Sequence, residues 1–188
     1  MSLLTTPSQT VGPYLKIGFL PLVMDAIAPA GTPGEGITVR GRMSDGDGKP
    51  INDGVVEIWQ ADSQGKYAHP EDGRKTVRES AFRGFGRILS DASGAFQFTT
   101  IKPGPVAGPD GKRQAPHLVV TVFMRGMLRH LITRMYFPDE PLNGTDPVLQ
   151  LVPADRRATL VAAVASGKSI LEWNIVSQGP AETVFFDF

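Results

Sequence analysis

The chain has 188 residues, with 19 basic and 19 acidic side chains, apolar residues at 41% and charged residues at 20%. That composition suits a soluble globular protein with one buried core, and the cancelled charge excludes the broad basic surface of a nucleic-acid or anionic-membrane binder. No cysteine is present, which excludes disulfides, thiolate nucleophiles and Cys-based zinc or iron–sulfur sites and is compatible with a reducing cytoplasm.

The opening run Met1-Ser2-Leu3-Leu4-Thr5-Thr6-Pro7-Ser8-Gln9-Thr10 has no basic segment leading into an apolar one, so it does not read as a signal peptide. No stretch approaches the ~18 uninterrupted apolar residues of a membrane helix. Residues 1–14 lack periodicity and read as an extended arm, of a kind that often lies on a neighbouring chain. Further on, runs with β-branched residues predict strands over 37–42, 55–60, 87–89, 95–100, 118–124, 131–137 and 173–176. Turn signals separate them: Asp45-Gly46-Asp47-Gly48, Asp91-Ala92-Ser93-Gly94, Pro103-Gly104-Pro105 and Asp110-Gly111. One helix is expected over 153–165, with Pro153 in its first turn, Asp155 at its positive end and Ser166-Gly167 closing it. The fold class expected is all-β: an antiparallel β-sandwich with an extended N-terminal arm and one or two short helices, in a single domain over 1–188.

Two runs carry chemistry. Tyr67 closes Val-Glu-Ile-Trp-Gln-Ala-Asp-Ser-Gln-Gly-Lys-Tyr, and His117 opens His-Leu-Val-Val-Thr-Val-Phe. Residues i and i+2 of a strand share a face, so His117 and Val119 point the same way. A phenolate and an imidazole suit a ferric ion, but Tyr67 and His117 alone leave such an ion short of ligands. Their bland reading is a packed Tyr and a structural His. His69, in a loop, and His130, at a strand start, read as structural or solvent-facing. Arg83 and Arg87, near Gly84 and Gly86, suggest an anion cradle, against which Arg87 reads better as a structural ion-pair partner.

An ordered set of segments then points to a family. It includes the arm Thr6-Pro7-Ser8-Gln9-Thr10-Val11-Gly12-Pro13-Tyr14, then Glu57-Ile58-Trp59-Gln60-Ala61, Phe82-Arg83-Gly84-Phe85-Gly86-Arg87, Asp91 with Gly94, and Thr100-Ile101-Lys102-Pro103-Gly104-Pro105. It continues with Ala115-Pro116-His117, Tyr136-Phe137 and Thr183-Val184-Phe185-Phe186-Asp187-Phe188. The whole resembles the intradiol ring-cleaving dioxygenases, whose ferric ion is held by two Tyr and two His. Against that pattern Tyr67 and His117 stand at ligand places, and Val106 and Val119 stand where the second Tyr and second His would be. An isopropyl group donates no lone pair, so the resemblance implies a degenerate site and no metal or other cofactor bound by this chain.

The Ala-Pro-His and Val-Phe-Phe-Asp-Phe segments are similar to the iron-free alpha chains of the protocatechuate-cleaving branch. The resemblance implies a hetero-oligomer of alpha–beta pairs in which the beta chain holds Fe(III). Protocatechuate and O2 would meet at the interface and give 3-carboxy-cis,cis-muconate, a step of aromatic catabolism in the β-ketoadipate pathway. It also implies that residues 1–35 are an arm and partner-contacting segment, and that Thr10, Gly12, Pro13, Tyr14 and Arg125 line the substrate pocket. Gly12-Pro13 would shape its mouth, Tyr14 would offer an aromatic face and a hydroxyl, and Arg125 a fork for a carboxylate. Two other readings are a stand-alone transthyretin-like binding module and an iron enzyme with ligands outside this pattern.

Overall fold

The computed structural model describes residues 4–73, 82–108, 111–138, 140–167 and 169–187. Asp110 of one expected turn, Phe188 of the terminal segment and residues 1–3 of the arm lie outside the described residues. Two sheets face each other. In one, β1 (Gly36–Ser44) pairs antiparallel with β4 (Ala95–Ile101) on one edge, and on its other edge in parallel with β10 (Ile170–Glu172) and then β11 (Ile175–Val176). Strand β9 (Ala163–Ser166) extends it beyond β10. The other sheet runs β3 (Phe85–Leu89), β2 (Val55–Trp59), β7 (His117–Phe123), β8 (Leu131–Tyr136), antiparallel throughout. A small ribbon pairs β5 (Val106–Ala107) with β6 (Arg113–Gln114). Among the described residues no helix is long and apolar enough to cross a membrane.

The sandwich follows from period-two patterning. Ile37, Val39 and Met43 of β1 and Phe96 and Phe98 of β4 face inward. They meet Val56, Ile58, Ile88, Leu118, Val120, Val122 and Met135 from the other sheet. A second cluster, Ala115, Tyr136, Leu149, Val152 and Leu160, lies behind β8 and covers that end of the sheet's outer face. At the opposite end the guanidinium of Arg87 lies 4.1 Å from the Phe19 ring centroid, so the N-terminal segment covers β3. Hairpin and loop corners reuse one device: the Oδ1 atoms of Asp45, Asp62 and Asp91 each accept backbone N–H bonds from the residues two and four positions on.

Three expectations are corrected. The helix expected over 153–165 is absent: that stretch holds a 3-10 turn at Arg157–Leu160 and then passes into β9. Leu160 and Ala162 are buried, and the Ala162 amide donates to the Tyr136 carbonyl at 3.0 Å. Cross-sheet pairing therefore overrides the helical propensity of the Ala-rich run. The short helix is instead α1 (Tyr14–Phe19), entered through Pro13 at φ −64°. The strand expected over 173–176 is split, because Trp173 and Asn174 carry the chain from β10 to β11 along the same edge of β1.

Candidate functional site

Three of the four positions expected to be degenerate ligand sites gather around one side chain, Trp59. The Tyr67 ring stacks on the Trp59 indole at a centroid separation of 5.7 Å and an interplanar angle of 10°. Val119 stands opposite Trp59 in the β2–β7 register, and Val106 lines one cleft with Trp59 and Tyr67. That cleft has a volume of about 720 Å³ and is shared with His69, Glu71 and Asp72. The backbone N–H of Tyr67 donates to Asp72 Oδ2 at 2.9 Å, which fixes the loop that presents the phenol.

His117 is held by a different set of partners. It is buried, its Nδ1 lies 2.7 Å from the Ala115 carbonyl, and its ring packs against Tyr136 at 5.8 Å. A carbonyl only accepts, so Nδ1 carries the proton. Burial first, and the Arg134 guanidinium second, bring the imidazole down to about 4, so it is neutral near pH 7. Beneath it lies Asp146, fully buried, which accepts from the amides of Ala115, Val148 and Leu149 and from the Tyr136 hydroxyl. Burial is also the main reason that the Tyr136 hydroxyl is held protonated well above the usual phenol range. Arg134 donates to Gln114 Oε1 at 2.6 Å. These bonds make a structural network. A ferric ion does not fit the four positions, because two are valines, whose side chains carry no donor atom.

The expected substrate residues form a second cluster. Thr10 Oγ1 accepts from the Gly126 amide at 2.9 Å, and the Val11 amide donates to the Met127 carbonyl at 3.0 Å. The arm is thereby pinned to the turn after β7, next to Arg125. Arg125 Nε lies 2.9 Å from Asp53 Oδ2, and Nη2 donates to Asn52 Oδ1 at 3.0 Å. Lys16 on α1 reaches the same loop, its Nζ donating to the carbonyls of Asn52 and Ser90 at 2.6 Å each. Pro13 and Tyr14 stand at the head of α1, and Tyr14 is 81% exposed. A Cβ added at Gly12 meets nothing within 4 Å, so this chain by itself does not require glycine there. Sequence reasoning missed Asn52, Asp53 and Lys16; its only available signal was the turn-forming Asn52-Asp53-Gly54 itself.

The two clusters are far apart. His117 opens β7 and Phe123 closes it, and a strand advances ~3.4 Å per residue, so about 20 Å separates the strand's ends. Arg87 takes the structural role expected of it, pairing with Glu57 Oε1 through Nη2 at 2.6 Å. His69 Nδ1 accepts from the Glu71 amide, and the His130 ring rests on Phe123.

The family model described as Dioxygenase (Dioxygenase_C) matches residues 23–179. The chain is 43% identical over 197 aligned residues to the protocatechuate 3,4-dioxygenase alpha chain of Burkholderia cepacia, covering 97% of this chain and 96% of that one. It is 37% identical over 131 residues to the protocatechuate 3,4-dioxygenase beta chain of the same organism, covering 69% and 56% respectively. Among solved structures it is similar to the dioxygenase domain of a dioxygenase carbohydrate-binding protein fusion from Streptomyces sp. SirexAA-E. That match has a TM-score of 0.61 and 27% identity, covering 82% of this chain and 87% of that one. The strand frame, the ordered motifs and these matches agree: the chain belongs to the intradiol ring-cleavage dioxygenase family.

Proposed function

We propose that this chain is the iron-free alpha-type subunit of a two-chain protocatechuate 3,4-dioxygenase. The observation that carries this reading is the pair Val106 and Val119 at ligand positions, in a chain that keeps an anchored arm and Arg125. Similarity to both an alpha and a beta chain supports an alpha–beta hetero-oligomer. The partner holds Fe(III), and the pair breaks the bond between the hydroxyl-bearing carbons of protocatechuate and adds one atom of O2 to each, giving 3-carboxy-cis,cis-muconate. The iron supplies the chemistry toward oxygen; this chain supplies walls and charge. The cytoplasm is the compartment that suits a cysteine-free chain.

Residues 1–35 are the partner-contacting segment. Tyr14, Ile17, Leu20 and Leu22 are 81%, 57%, 59% and 50% exposed, an apolar ridge over residues 14–22, none of which is buried. Thr10, Gly12, Pro13 and Tyr14 form one wall of the substrate pocket, where Gly12 lets a second chain approach closely. Arg125 meets the substrate carboxylate, since guanidinium keeps its charge at any working pH. Metal analysis and oxygen uptake test the reading. The chain alone should hold no stoichiometric iron and leave protocatechuate intact, and co-expression with an iron-bearing beta chain should restore both. One tightly held iron per isolated chain with ring cleavage would overturn it.

A further inference from the structure

We infer that Asp53, with Asn52, is a positioning residue that aims the Arg125 fork at the carboxylate of an aromatic acid, an inference that rests on the reading of Arg125 above. The Arg125 side chain is 63% exposed, whereas that of Asp53 is 14% exposed. A freely exposed ion pair orders little. This one differs because its anchor is shielded. Asp53 Oδ2 lies 2.9 Å from Arg125 Nε and is screened from solvent with no hydrogen-bond donor. The guanidinium charge therefore offsets a buried anionic oxygen, and swinging Arg125 away would leave that oxygen uncompensated.

The geometry also selects which edge is offered. Asp53 Oδ2 stands on the Nε side as an ion-pair partner, and Asn52 Oδ1 accepts one Nη2 proton at 3.0 Å. Both Nη1 protons and the second Nη2 proton remain, so the end-on edge is left for a bidentate carboxylate. The seat beneath is rigid. Ser90 Oγ donates to the Ile51 carbonyl at 2.8 Å and accepts from the Gly54 amide at 2.9 Å, while Lys16 Nζ holds the Asn52 and Ser90 carbonyls. On the other flank the Gly126 amide is tied to Thr10. The cost of ordering a long side chain is thus met before substrate arrives. Asp53 also repels an incoming carboxylate, but Lys16 beside it leaves the cluster with one net positive charge, so orientation governs.

The test uses the assembled two-chain enzyme, comparing protocatechuate with catechol, which lacks the carboxylate. Arg125→Ala should raise KM for protocatechuate at least tenfold, as expected for loss of a charge-assisted bond, and change catechol little. Asp53→Asn, nearly isosteric, should raise KM for protocatechuate roughly three- to tenfold, the scale of one long side chain released from order. Its kcat should stay within about twofold, since the contact is equal in ground and transition states, and catechol should be unaffected. A loss shared by both substrates would be structural damage and would overturn the inference, as would an unchanged or lowered KM. Should Asp53→Asn fail to assemble, Asn52→Ala removes the other anchor but keeps the carbonyl that binds Lys16, and the same KM shift decides. If Arg125→Ala leaves protocatechuate untouched, the reading of Arg125 falls and takes the inference with it. If Arg125→Ala acts and the anchor variants do not, only the inference falls.

Discussion

At His117 the surroundings decide what an imidazole can do. Buried beside Arg134, it is brought down to about 4 from an ordinary 6.5. Between those values the unfolded chain takes up a proton that the folded chain refuses, so stability rises with pH across that window. The contribution is complete above pH 6.5 and is lost as pH falls toward 4, a swing of about 3 kcal/mol at 1.36 kcal/mol per unit. Unfolding midpoints measured from pH 7.5 to 4 should show it. His117→Gln should have a shallower slope than the parent, and equal slopes would place the acid sensitivity elsewhere. That Val106 and Val119 carry no donor is legible in sequence, because it is a property of single letters. The Arg125 seat is not, because Asn52, Asp53, Ser90 and Lys16 are brought together only by the sandwich.

Strands were easier to read than their partners. Alternation along β1, β2, β4, β7 and β8 announces a half-buried surface whatever lies across it. What failed is where local preference and pairing disagree. The run after Pro153 is rich in Ala, yet Val161 bridges to Tyr136 and β9 pairs with β10, a destination that composition does not encode. Helix α1 was missed because it buries no side chain and so prints no amphipathic stripe. The parallel edge of β1 depends on one residue. Where β10 hands over to β11, a Cβ at Gly41 would run into the Trp173 carbonyl and lie 2.8 Å from the Phe96 ring. The Trp173 amide donates to the Arg40 carbonyl at 3.0 Å and Asn174 Oδ1 accepts from the Arg42 amide at 2.9 Å, so this crossing cannot retreat. Gly41→Ala should therefore cost about 3 kcal/mol, the upper end of overpacking. A lowered urea midpoint at unchanged slope would report it, and a cost below about 1 kcal/mol would mean that the edge yields.

For the molecule as a whole, the ridge from Tyr14 to Leu22 is the part that its own core does not use. Apolar side chains left in water on one segment favour association, and a partner that binds only the folded form raises its stability by mass action. The isolated chain should accordingly self-associate on size exclusion and unfold at a lower temperature than the two-chain complex. A monodisperse monomer melting with the complex would contradict this. Strand β7 adds a different consequence. Among the described residues its two ends belong to separate clusters with no shared side chain, and substitutions that far apart combine independently. Selection can therefore let the Trp59 end drift while it holds the Arg125 end still. After a duplication, one copy of such a domain can give up one trade without touching the other, because a single strand keeps them at arm's length.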